Sequence, residues 1–227
     1  MKHGKKWDIV RKKIDKTKEY ALDEAIQFLK SNSQVKFDET IEIAVKLGID
    51  PKKSEQAVRG SVVLPHGLGK TVRVLAFAVG DKAKEAKDAG AENVGSDDIA
   101  EKIIGGWMEF DAVVATPDMM KVVGKLGKIL GTRGLIPNPK VGTVTMDIGK
   151  AVRELKKGKA DFRSEKGGIL HAPLGKLSFD ADKIKDNVTA FLDTIAKSKP
   201  PSAKGAFIKK VILSSTMGQG VKIGSVA

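Results

Sequence analysis

Apolar residues recur along this chain in two different rhythms. Near the N-terminus, Leu22, Ala25, Ile26 and Leu29 fall at i, i+3, i+4 and i+7, the spacing of an amphipathic helix, and Asp23 and Glu24 lie at the end where the helix dipole favours acids. Then Ile41, Ile43, Val45 and Leu47 alternate with Thr40, Glu42, Ala44 and Lys46, which predicts a strand with one buried and one wet face. The C-terminal third returns to this style. Ala160 to Arg163 and Ile169 to Ala172 flank Gly167-Gly168 and predict a hairpin. Asp180 opens a helix whose Ile184, Val188, Phe191, Leu192 and Ile195 share a face; Pro200-Pro201 closes that region, and a last strand from Phe207 to Thr216 runs into Met217-Gly218-Gln219-Gly220.

The middle of the chain reads differently. Val72 to Val79 is nearly unbroken apolar sequence, as in a strand covered on both faces. A helix is predicted from Asp81 to Ala89, stopped by Gly90, followed by a short strand at Asn93-Val94. Ser96 has the look of an N-cap before a helix that begins with Asp97-Asp98 and closes at Gly105-Gly106, and Ala112 to Ala115 form another buried strand ended by Thr116-Pro117. Strand alternating with helix in short units predicts a parallel, Rossmann-like sheet. The fold class expected is therefore α/β with two domains. Residues 1–67 and 159–227 would form a discontinuous α+β domain, into which a Rossmann-like domain, 68–158, is inserted. Glycines punctuate both borders, and Gly67, Gly69 and Gly158 are the candidate hinge.

Charge sharpens this division. Lys and Arg number 41 against 28 Asp and Glu, a net +13, which favours a polyanionic partner through release of condensed counterions. The segment 68–158 has 15 basic and 12 acidic residues, so it accounts for +3 and the two flanks for the other +10. The first eighteen residues alone hold Lys2, Lys5, Lys6, Arg11, Lys12, Lys13, Lys16 and Lys18, either a solvated helix face or an arm that contacts phosphate. With 41% hydrophobic residues the chain can build real cores. It holds no cysteine, which excludes disulfides, thiolate metal sites and cysteine nucleophiles. Neither an apolar signal core at the start nor an apolar run long enough to span a membrane is found, so the expectation is a cytoplasmic protein with no membrane partner.

Motifs for chemistry are weak. Gly67-Leu68-Gly69-Lys70-Thr71 suggests a phosphate-binding loop, but the first required glycine would fall at Leu64, and a strand follows instead of a helix. His3, His66 and His171 show no ligand spacing, so neither a metal nor a cofactor is expected, and no catalytic residue is assigned. Gly131 to Gly142, with Arg133 and Lys140, is either a shaped loop offering cations to phosphate or a plain connection. Two Trp, one Tyr and eight Phe are few for a base-stacking platform and suit recognition of folded RNA by shape, phosphate and 2′-hydroxyl.

Several stretches occur in an order that is specific: Lys36-Phe37-Asp38-Glu39-Thr40, Leu47-Gly48-Ile49-Asp50-Pro51, Val58-Arg59-Gly60, Leu64-Pro65-His66-Gly67, Phe110 to Pro117, Arg133 to Lys140, and Ser215-Thr216-Met217-Gly218. Together they resemble the bacterial form of the ribosomal large-subunit protein one family, the protein of the mobile stalk, along essentially the whole chain. The resemblance implies a non-enzymatic constituent of the large ribosomal subunit, monomeric off the ribosome. Its partners would be folded large-subunit ribosomal RNA, exit-site tRNA whose release it assists once deacylated, and its own messenger RNA, whose translation it represses. It implies RNA contacts at Lys36, Phe37, Thr40 and Glu42, at Arg163, Lys166, Gly167 and His171, and at Ser215, Thr216, Met217 and Gly218. His171 and Phe37 each have a packing role as a competitor. The family often has Asn-Asp where this chain has Ser164-Glu165, so no side-chain contact carries over to those two; Thr132 replaces a common Pro, and Lys210 stands where a small hydroxyl residue can occur. The alternative from another class, a nucleotide-using enzyme on the central α/β unit, would show itself by nucleotide affinity of 68–158.

Overall fold

The computed structural model describes residues 5–15, 17–50, 53–203 and 205–224. Lys2 and Lys16 of the basic segment and Pro51 of the Leu47–Pro51 stretch lie outside them. In chain order the elements are α1 (Lys5–Lys12), α2 (Leu22–Ser31), β1 (Thr40–Leu47), β2 (Arg59–Val63), β3 (Val74–Phe77), α3 (Asp81–Asp88), β4 (Asn93–Gly95), α4 (Asp97–Ile104), β5 (Ala112–Ala115), α5 (Met120–Lys125), α6 (Gly127–Thr132), α7 (Ile148–Lys156), β6 (Lys159–Arg163), β7 (Ile169–Lys176), α8 (Ala181–Lys197), β8 (Ile208–Ser215) and β9 (Val221–Ile223). Single 3-10 turns occur at Ser54–Gln56, Pro117–Met119 and Pro139–Val141. The protein is mixed α/β, and the chain divides into two compact units, Met1–Gly69 with Ala160–Ala227, and Lys70–Lys159.

The first unit is built on an antiparallel sheet in the order β7-β1-β8-β9. Strict alternation along β1 buries Ile41, Ile43, Val45 and Leu47 and turns Thr40, Glu42, Ala44 and Lys46 the other way. The buried row packs in one core with Ala25, Ile26 and Leu29 of α2 and with Ile184, Val188, Phe191, Leu192 and Ile195 of α8. There the Phe162 and Phe191 rings meet edge to face at 5.7 Å. A polar bolt crosses this core. The amide of Asn187, fully buried, donates to Gly67 O at 3.1 Å and Leu174 O at 2.7 Å, while its oxygen accepts from His66 N at 3.1 Å. A buried amide satisfied on three sides ties the chain leaving β2 to both α8 and β7.

The predicted hairpin around Gly167-Gly168 is corrected. The turn forms, with Gly168 at φ +70° and its N–H bonded to Glu165 O, but β6 pairs with β2 while β7 pairs with β1. Between β6 and β7 there is a single bridge, Ser164 to Leu170. Ser164 explains the divergence: its N–H donates to Val58 O and its Oγ accepts from Val58 N, which pulls the end of β6 to the segment before β2.

The second unit holds a parallel sheet in the order β4-β3-β5. Every residue of β3 is buried, and its two faces feed separate cores. Leu75 and Phe77 pack with Ile99 and Ile103 of α4 and with Leu126 and Leu130, whereas Val74 and Ala76 pack with Ala86 of α3 and Ile148 and Val152 of α7. The strand is shorter than its apolar run, since Val79 is already exposed. Two further expectations change. Ser96 precedes α4 but makes no side-chain cap; its own N–H donates to Asp98 Oδ1 at 2.8 Å, so the carboxylate in the first turn does the fastening. Gly131 and Thr132 belong to α6, the Thr132 hydroxyl bonding back to Ile129 O, so the loop begins only at Arg133.

Candidate RNA-binding surface

Helices α2 and α8 cover one face of the antiparallel sheet, and the residues that alternation sends to the other face stay at the surface. Glu42, Lys46, His171, Pro173 and Lys210 are exposed there, with Thr40, Ala44, Ile212 and Ser214 half-buried among them. Register places Ala44 between His171 on β7 and Ile212 on β8, Glu42 between Pro173 and Ser214, and Lys46 opposite Lys210. Two ammonium groups directly opposed across a strand pair repel each other, and a phosphate between them would relieve that repulsion. Lys222, by contrast, is taken by Glu19 at 2.6 Å.

One end of this face is unusually well fastened. Thr40 and Thr216 are locked together: Thr216 N donates to Thr40 O at 3.1 Å, and Thr40 N donates to the Thr216 side-chain Oγ1 at 3.0 Å. From the other flank, Lys176 Nζ reaches Thr40 Oγ1 at 3.1 Å, Leu177 N reaches Glu39 O, and Ser178 donates both its N–H and its hydroxyl to the Asp38 carboxylate. Beneath lies Glu39, only 1% exposed. Its carboxylate accepts from Ser33 Oγ at 2.6 Å and from Met217 N at 2.9 Å. Burial works against the charged form, but these two bonds and one from the Ser215 hydroxyl outweigh it and hold the carboxyl below the ordinary glutamate range. Residues 36–40 and 215–218 are thus one rigid edge. It carries Phe37, 54% exposed, and Met217, 63% exposed, two large apolar side chains held at the surface. Gly218 belongs to the same construction, because a Cβ there would collide with Ser215 Oγ.

The residues singled out from the sequence therefore separate into two groups. Lys36, Phe37, Thr40, Thr216, Met217 and Gly218 gather at the fastened edge. Arg163, Lys166, Gly167 and His171 line a second, open hollow with Asp161, Ser164 and Glu165. Since Ile41 lies opposite Ser215 and Lys46 opposite Ile169, the two groups stand at opposite ends of β1, roughly 17 Å apart at about 3.4 Å per residue. Glu42 lies between them. Phe37 is at the surface, so packing is not its role. Ser215 stands apart from the others: it shares parity with Val211 and Leu213, is 5% exposed, and turns its hydroxyl to Glu39, supporting the edge from within. Sequence reasoning passed over Glu39 and Asn187, polar residues whose decisive partners, Met217 for one and His66 and Gly67 for the other, lie more than a hundred positions away.

Elsewhere the chemistry is sparse. The Gly67–Thr71 stretch leads into β3, as no phosphate-binding loop does. Gly67 and Gly69 at φ +67° and Gly158 at φ +96° all sit in the left-handed region, where glycine is favoured. His66 Nε2 faces Asp186 at 2.9 Å, and among the described residues no cluster of three potential metal ligands occurs. No helix of the described residues is long and apolar enough to cross a membrane.

A basic α/β chain with a polar, uncovered sheet face and a rigid edge has the build of a protein that fits against folded RNA. The family model of the ribosomal protein L1p/L10e family matches residues 29–219, and the chain belongs to that family. It is accordingly a protein of the large ribosomal subunit that binds ribosomal RNA, in a family of structural rather than enzymatic proteins.

Proposed function

We propose that the chain grips a folded segment of large-subunit ribosomal RNA at the mobile stalk with the uncovered face of its antiparallel sheet and, above all, with the Thr40–Thr216 edge. The observation that carries this reading is the edge itself. A buried, charged Glu39 and the paired hydrogen bonds of Thr40 and Thr216 immobilise it, yet it holds Phe37 and Met217 out in water. Preorganised apolar and backbone groups of this kind fit a shaped RNA surface, and Lys46, Lys210 and the Arg163–Lys166 corner supply phosphate contacts along the same face. On this reading the protein works in the cytoplasm as a monomer when off the ribosome. It assists release of deacylated tRNA from the exit site, Gly67, Gly69 and Gly158 serving as hinge, and it represses its own messenger RNA through an RNA fold like the ribosomal one.

The test is affinity for purified large-subunit ribosomal RNA against bulk tRNA across several salt concentrations. The ribosomal RNA is expected to be preferred by at least about a thousandfold, the usual lower scale of specific over bulk nucleic-acid binding. Equal affinity for the two would end the proposal.

A further inference from the structure

Beside the fastened edge lies a hollow of about 250 Å³, walled by Trp7 and Val10 of α1, by Val35 and Glu39, and by Met217 and Gln219. Gln219 is the telling member. It is 7% exposed, and its Nε2 is buried with no hydrogen-bond partner among the described residues. Buried amide nitrogens are nearly always paired, so a donor left over on a residue that lines a hollow calls for an acceptor from outside, met once the amide turns into the hollow. We infer that this hollow receives one unstacked nucleobase of the bound RNA, its ring lying against Trp7 and a ring nitrogen or carbonyl oxygen accepting from Gln219 Nε2.

Size, charge and position all favour a base. The volume lies just under the roughly 300–1,000 Å³ of pockets that hold drug-sized molecules, which suits a single heterocycle. Among the described residues lining it, Glu39 is the only charged one, and its carboxyl is held ionised. A phosphate would face that carboxylate, whereas a neutral base with a π face and an acceptor edge is not repelled by it. Trp7 is an electron-rich surface that already holds the Arg11 guanidinium at 5.3 Å, and aromatic rings of this kind take splayed-out bases in RNA recognition. Finally, Met217 belongs both to the rim of the hollow and to the exposed edge, so RNA seated on that edge passes directly over the opening. The scarcity of aromatic residues argues against a broad stacking platform but not against one pocket for one base.

This inference rests on the RNA-binding reading, and one experiment separates the two. The full-length chain is titrated with the shortest large-subunit ribosomal RNA fragment that retains full affinity, then with the same fragment made abasic at each unpaired position in turn. Each RNA is also tested against Gln219→Leu and Trp7→Ala after circular dichroism confirms folding. The expected result is one position whose missing base costs the parent about tenfold, the scale of a stacked base, and costs either variant little, because pocket and base are already uncoupled. Gln219→Leu puts an apolar side chain into a largely apolar wall; should it fail to fold, Trp7→Ala at the rim supplies the same cycle. If the parent binds tightly and every abasic position weakens parent and variants alike, the pocket is not a base pocket and the RNA reading stands without it. A parent that does not bind the RNA overturns both.

Discussion

Strands β1 and β3 each lie inside a sheet, flanked on both sides, but they meet their surroundings differently. Along β1 buried and wet residues alternate, so helices cover one face and the other is left to a partner. Along β3 every residue is buried, and alternate side chains enter two separate cores. A parallel sheet with helices on both sides has no spare face. Any surface its unit offers must come from loops and helix exteriors, whereas the antiparallel unit can offer a flat, preorganised sheet. The distribution of charge fits, with +3 in residues 68–158 and +10 in the flanks.

The sharpest way to break this comparison is to put the same charge into both strands. Ala76, fully buried, and Ala44, half-buried on the uncovered face, differ in little else. Ala76→Asp should destabilise its unit by about 4 kcal/mol or more, since an unpaired carboxylate enters an apolar core. Ala44→Asp should cost under about 1 kcal/mol, the span of strand propensity at a wet site. Chemical unfolding of the full-length chain measures both, and similar losses would mean that the outer face of β1 is not open.

A smaller effect probes how the antiparallel unit is bolted together. Asn187→Leu would leave His66 N–H, Gly67 O and Leu174 O without their partner inside the core. The expected cost is about 2–4 kcal/mol, from polar groups desolvated and unpaired rather than from lost packing. An effect below about 1 kcal/mol would show that the segment after β2 is held by other means.

What the sequence alone reveals follows the same division between near and far. The 2.0 period of Thr40–Leu47, the one-faced helix of Ile184 to Ile195 and the unbroken apolar strand at Val74–Phe77 are legible because each pattern reflects which way neighbouring residues of one element face. The turn at Gly168 is legible too, but not that β6 and β7 leave it for different sheets, because Val58 decides that from a distance. The candidate edge is half legible. Phe37, Thr40, Thr216 and Met217 are picked out by their motifs, while Glu39 looks like one more polar residue in Lys36-Phe37-Asp38-Glu39-Thr40. Only pairing across 178 positions with Met217 reveals it as the buried centre. The inward turn of Ser215 follows from its parity with Val211 and Leu213, and distance hides only its partner, Glu39.

Glu39 also gives the comparison a pH dependence. Its carboxyl is held below the ordinary range in the folded chain, so its contribution is fully present above the unfolded value of about 4.3 and is lost as pH falls through the folded value. Glu39→Gln should therefore cost about 1–3 kcal/mol at pH 7, the scale of hydrogen bonds to a buried charge. That difference should shrink as the solution is acidified below about pH 4.3. Unfolding curves of both proteins from pH 7 down to the acid limit test this. A gap that stays constant would mean that the charge of Glu39 contributes nothing to fastening the edge.

The smallest effect bears most directly on the division between the two units. Lys210 stands opposite Lys46 on the uncovered sheet face, and Lys128 is an exposed lysine on α6 of the other unit. If phosphate is met by the sheet, Lys210→Ala removes one cation from the contact and also relieves its repulsion with Lys46 in the free protein. Both consequences act through charge, so the loss at moderate salt should be under about 1 kcal/mol, with the slope of log affinity on log salt flattened by up to about one unit. Lys128→Ala should leave affinity and slope for the ribosomal RNA fragment as they were. Met217→Ala supplies the contrast, losing about 1 kcal/mol or more with the slope unchanged, because an apolar anchor acts by fit and not by counterion release. Titration of the three variants at four or more salt concentrations distinguishes them. Equal flattening by Lys210→Ala and Lys128→Ala would spread phosphate binding over both units and remove the functional contrast between the two sheets.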